Sequence, residues 1–157
     1  DFYGLSKNMI TRKILKNDTN IYNFRLFGCF GKNEKEDRLL KILYSGIRDK
    51  KKVSIEAKKK MDFFYDIDVC RAIDFYIENH QTKKLPKDVN LVYEKKRNLE
   101  DISMLLEDIL KQENGNLSLN KTGTNNYTGS WEVCSNTFPN DLFFGFETAL
   151  EKIYGRN

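Results

Sequence analysis

Histidine is almost missing from this chain: His80 is the only one in 157 residues. That excludes a histidine-based nucleophilic triad and a histidine-rich metal site. Cysteine is scarce too. Cys29, Cys70 and Cys134 are odd in number, far apart and without Cys-x-x-Cys spacing, which argues against a disulfide scaffold or a zinc cluster; a reducing compartment, the cytoplasm, is the expected location. No run approaches the 18 or so apolar residues of a membrane span, and no signal peptide is recognisable. Internal repeats and low-complexity segments are also lacking. Charge is mild, 27 Lys and Arg against 23 Asp and Glu for a formal net charge of +4. The richest basic runs, Lys50-Lys51-Lys52 and Lys58-Lys59-Lys60, flank Val53-Ser54-Ile55. Clustered lysines bind phosphates without sequence preference, but no nucleic-acid motif accompanies these, and a solvated face explains them. Nucleic acid is therefore not an expected partner.

What is present suits one domain with a modest core, since 39% of residues are apolar and 13% aromatic. Residues 3–15 read as a helix, and Ile21 to Phe30 as a strand running into Gly31. A helix is expected from about Glu36 to Tyr44, stopped by Gly46, followed by strands at 53–55 and 63–65. Asp68 reads as the N-cap of a helix carrying Val69, Ile73, Tyr76 and Ile77 at helical spacing. Pro86 closes the next loop, and Val89 to Tyr93 reads as a buried strand. The clearest amphipathic helix is Leu99 to Leu110, with Leu99, Ile102, Leu105, Leu106, Ile109 and Leu110 on one stripe. A short strand at 117–119 between Asn/Gly turns and a last helix from about Asn140 to Tyr154 complete the pattern. Strands alternating with helices predict an α/β fold.

Within this frame the chemistry-bearing pair is Tyr3 and Lys7. Positions i and i+4 on a helix are neighbours, about 5 to 6 Å apart at Cβ, so the ammonium can lie beside the phenol. A free phenol, with a pKa of about 10, is a poor base at neutral pH. A neighbouring positive charge favours phenolate and so favours proton abstraction from a hydroxyl. By itself Tyr-x-x-x-Lys is also compatible with an ordinary amphipathic helix bearing one aromatic. Asp66 and Asp68 could be paired carboxylates, although a cap and a turn serve as well. Trp131 with Tyr127 could stack on a base or simply anchor packing.

The flanks of the pair carry a resemblance. Tyr3-Gly4-Leu5-Ser6-Lys7 opens a helix; Phe24-Arg25-Leu26-Phe27-Gly28-Cys29-Phe30-Gly31 follows as a strand and turn. Met61-Asp62-Phe63-Phe64-Tyr65-Asp66-Ile67-Asp68-Val69 then leads into a helix, and Asp88-Val89-Asn90-Leu91-Val92-Tyr93 forms a further strand. In this order the blocks resemble the C-terminal half of an extended short-chain dehydrogenase/reductase of the nucleotide-sugar epimerase and dehydratase type, over residues 1 to about 110.

That resemblance implies the C-terminal part of a Rossmann-type fold plus a small α/β substrate-binding domain. Residues 1–31 would end the dinucleotide-binding domain, and 32–157 would be mainly substrate-binding, with roughly 62–93 returning to the Rossmann core. It implies Tyr3 as general acid/base at a sugar hydroxyl during hydride transfer. Lys7 would support Tyr3 and contact the nicotinamide ribose, with NAD or NADP as cofactor. The Gly-rich dinucleotide loop, and the Ser or Thr that in this family completes a triad with the Tyr and Lys, have no counterpart in these residues, so the chain alone is expected to be an inactive half. Association between chains, as a homodimer or with the absent half, is then expected.

Departures from the family pattern bear on the nucleotide-sugar partner. Met61 stands where an Arg commonly contacts the diphosphate, which leaves Lys60 or Lys58 as the nearest cations. Gly28 replaces a frequent Asn, and Arg25 is either a substrate contact or a pin for its strand. Two functional classes follow: a nucleotide-sugar oxidoreductase, or a noncatalytic module that keeps the fold. The Tyr3 and Lys7 pair favours the first and Met61 the second.

Overall fold

A computed structural model of the chain describes residues 2–17, 20–112, 117–120 and 125–155. Helix α1 spans Phe2–Lys16, and Thr11 is its one buried residue. At about 100° per residue, Phe2, Leu5 and Met9 fall on the side opposite Thr11, and all three are exposed. The expected strand over 21–30 is in fact two. β1 (Asn23–Leu26) pairs in parallel with β5 (Asp88–Leu91), and β2 (Cys29–Phe30) pairs in parallel with β4 (Phe64–Tyr65). Phe27 and Gly28 form the step between them. A Cβ on Gly28 would sit 2.8 Å from Phe63 Cδ1 and 3.0 Å from the Asp62 carbonyl, so the close approach of the two segments requires glycine.

Helix α2 (Leu39–Arg48) runs past Gly46 instead of stopping there. Gly46 is buried on the core side, and a Cβ would collide with Val53 of β3 (Val53–Glu56). Its role is therefore close packing; the chain turns instead at Lys50, which takes a left-handed conformation. Helix α3 (Asp66–Asn79) begins two residues before the expected cap. The fully buried Asp68 carboxylate accepts from Tyr93 Oη (2.6 Å), Phe144 N (2.9 Å) and Gly145 N (3.3 Å). Asp68 thus fastens α3 to the end of β5 and to the entry of the last helix. Burial first, and then the Asp68 carboxylate it donates to, push the Tyr93 phenol far above its ordinary value.

Helix α4 (Leu99–Leu110) lies where its stripe predicts and is closed by a reciprocal capping box between Asn98 and Asp101. β6 (Leu117–Asn120) pairs in parallel with β3. A short α5 (Glu132–Thr137) was not predicted, and α6 (Phe146–Tyr154) starts later than about Asn140 because Gly145, at φ 83°, redirects the chain into it.

Among the described residues, burial is divided between two apolar clusters. One joins Leu43 of α2, Ile55 of β3, Leu106 of α4 and Leu150 of α6, with Phe30 and Phe63. The other joins Phe64, Tyr76 of α3, Val89 and Leu91 of β5, and Cys134 of α5. Tyr93 packs against both and stacks on Phe64 with ring centroids 4.6 Å apart. Each fully buried Leu or Phe contributes roughly 1.5–3 kcal/mol by leaving water.

Candidate active site on the first helix

Tyr3 and Lys7 fall one turn apart on α1, and the Lys7 ammonium lies over the Tyr3 ring, 5.4 Å from its centroid. A cation over an aromatic face is attracted by the ring quadrupole. Both side chains line an open cleft of about 810 Å³, whose opposite wall is Phe24, Arg25, Leu26 and Phe27 of β1 and the following step. Tyr127 completes the wall and meets Phe27 edge-on, with centroids 5.3 Å apart. The Tyr3 residue is 70% exposed.

The other expected site residues are only partly gathered here. Arg25 lines the cleft, but its guanidinium donates to the Asp88 carboxylate across the β1–β5 ladder. It pins that ladder through Asp88. Gly28 is not part of the lining; it serves the contact with Phe63. Lys60 and Met61 lie in a bridging segment, Lys60 opposite Asn98 and Met61 opposite Tyr127. Met61 packs on the larger apolar cluster and borders a small cavity beside Lys95 and Arg97. Lys58 is engaged by Glu100 at 3.2 Å. Asp66 and Asp68 act in the backbone frame: Asp66 Oδ1 accepts from Ile67 N at 2.7 Å, and Asp68 has the three donors given above. Among the described residues no cluster of His, Cys, Asp and Glu could hold a metal ion, and no helix is long and apolar enough to cross a membrane.

Thr11 and Asn23 were not anticipated as site residues, although both line the cleft. Thr11 stands one further turn along from Lys7, so the 3, 7, 11 spacing carried the signal. Asn23 carried none, because its contact with α1 exists only in three dimensions.

Comparisons with known proteins bear on the family and the fold. Residues 1–91 match the model of the NAD dependent epimerase/dehydratase family. No curated protein sequence matches the chain. Solved structures do. The UDP-glucuronic acid 4-epimerase of Bacillus cereus, in complex with UDP-glucuronic acid and NAD, superposes with a TM-score of 0.73 at 21% identity, covering 96% of this chain and 49% of that one. An NAD-dependent NDP-hexosamine 5,6-dehydratase of tunicamycin biosynthesis gives 0.65 at 15% identity, with 93% and 48% covered. The dTDP-glucose 4,6-dehydratase of Bacillus anthracis in complex with NAD gives 0.64 at 13% identity, with 83% and 42% covered. The chain therefore spans about half the length of these structures, and its fold is the corresponding part of a Rossmann-like α/β enzyme fold. With a family match over most of its length and parallel strands in the matching arrangement, the chain belongs to the NAD-dependent epimerase/dehydratase family.

Proposed function

We propose that this chain is the substrate-binding portion of an NAD(P)-dependent nucleotide-sugar epimerase, dehydratase or reductase, in which Tyr3 is the general acid/base. The observation that supports this most directly is the pairing of Tyr3 with Lys7 on the wall of an open cleft. A nicotinamide cofactor, when bound, supplies the hydride acceptor and donor. The chain's own part is proton transfer: the Tyr3 phenolate takes the proton of a sugar hydroxyl and returns it later. Lys7, whose ammonium lies over that ring, is the residue that would reach the nicotinamide ribose. Tyr3 and Lys7 fit such a group because both are surface-accessible on one helix face. Arg25 would meet the substrate from the cleft lining. Residues 1–31 would close the dinucleotide-binding domain, and most of 32–157 would form the sugar-nucleotide lobe.

One observation favours a second reading, a noncatalytic module of the same fold. Met61 places an apolar side chain against the core where the resembling enzymes place an Arg. Substitution separates the two. In a protein that carries this chain together with a dinucleotide-binding half, Tyr3→Phe is expected to lower turnover of a nucleotide sugar roughly 100- to 10,000-fold with cofactor affinity nearly unchanged. Steady-state rates that survive Tyr3→Phe would remove Tyr3 from the chemistry and leave the noncatalytic reading.

A further inference from the structure

Helix α1 carries the proposed acid/base pair yet has little to fix its rotation about its own axis. Apolar side chains occur on more than one of its faces, Phe2, Leu5 and Met9 on one and Ile10 and Ile14 nearer the other. Apolar contact is non-directional, so it does not choose among rotations. What ties the helix to the sheet is polar. The Thr11 hydroxyl donates to the Lys7 carbonyl at 3.1 Å and accepts from Asn23 Nδ2 at 3.3 Å. The same Asn23 amide donates its second hydrogen to Asp88 Oδ1 at 2.6 Å, while Asp88 Oδ2 accepts from Arg25. Each donor in this chain of bonds meets an acceptor, and the Asp88 carboxylate fixes which way the Asn23 amide faces, since the reversed amide would oppose two oxygens. One residue before Asp88, the Lys87 carbonyl receives Asn23 N at 2.8 Å, and the Lys87 ammonium donates to the Asn17 carbonyl just after α1.

We infer that Thr11, Asn23 and Asp88 are positioning residues that set the rotation of α1 and thereby aim Tyr3 and Lys7 into the cleft. Residues 3, 7 and 11 share one stripe of the helix, within about 80° of arc. Holding Thr11 against Asn23 therefore turns the whole stripe toward β1, where Phe24 to Phe27 form the facing wall. Thr11 is bonded to the very turn that bears Lys7, so the relay acts on the ammonium's backbone as well as on the helix axis. The inference rests on the proposed role of Tyr3, and its test has one arm that does not.

In that arm, amide hydrogen exchange is measured on the 157-residue chain. Thr11→Val removes the hydroxyl at constant shape, and Asn23→Asp sets a carboxylate against Asp88. Both are expected to speed exchange in residues 8–14 about 10-fold relative to α4, whereas Thr11→Ser stays within about 2-fold of the parent. In the second arm, in the protein joined to its dinucleotide-binding half, Thr11→Val is expected to lower kcat about 10-fold at near-constant KM, and Thr11→Ser to restore it. Unchanged exchange in α1 for both Thr11→Val and Asn23→Asp would overturn the relay, as would equal loss of kcat in Thr11→Val and Thr11→Ser. If Tyr3→Phe retains turnover, the acid/base reading fails while the exchange arm still decides whether the relay holds.

Discussion

Gly28 is the point at which one extended segment leaves one ladder and enters another. Its carbonyl accepts from Phe64 N at 2.8 Å, so the backbone is held on the β4 side while Phe63 closes over the space a Cβ would need. Gly28→Ala must displace an aromatic ring or a backbone carbonyl, and is expected to cost about 1–3 kcal/mol, read as a lower urea midpoint at unchanged slope. An unaltered midpoint would mean that the Phe63 ring swings aside freely. Asp62, next to that ring, is a buried carboxylate whose Oδ2 accepts from Lys96 Nζ and Gly129 N, each at 2.7 Å. The residue that follows Met61 is therefore committed to the loop frame.

Among the elements, α4 is the one whose beginning is best defined. Asn98 accepts from Asp101 N at 2.8 Å and Asp101 accepts from Asn98 N at 3.2 Å. Losing the Asn98 side chain is expected to cost about 1 kcal/mol, measured as the stability difference between Asn98→Ala and the parent by denaturant titration. No change would show that water replaces the cap without penalty. This helix was legible in the sequence because its stripe is a local property, and so were α1 and its Tyr3 and Lys7 pair. The break between β1 and β2 was not, since it depends on two partner strands that lie far along the chain. Gly46 misled for a similar reason: a glycine near a helix end resembles a stop, but here the demand for closeness comes from Val53 on another element. Asp68 reads as a cap in one dimension, and only the arrival of Tyr93, Phe144 and Gly145 shows where its oxygens point.

At the scale of the whole molecule, the chain matches its family over residues 1–91 and spans about half the length of its structural neighbours. Tyr3 and Lys7 offer one wall of a cleft, whereas a dinucleotide needs a pyrophosphate cradle at a strand-to-helix turn, for which these residues contain no Gly-rich loop. Calorimetric titration of the 157 residues with NAD and with NADP is accordingly expected to show no saturable binding; micromolar affinity with either would contradict the proposed division of labour. The three ladders have a different consequence, for the time course of folding. β1 with β5, β2 with β4 and β3 with β6 are all parallel pairs between segments roughly 35 to 65 positions apart, so none can close as a hairpin, and each incurs a large loop-closure entropy first. Helices α3 and α4 can flicker into being early, but the parallel pairing that would hold them must await distant encounters. Its assembly belongs with the slow, non-local topologies, and during that interval the unpaired strand edges are exposed to other chains.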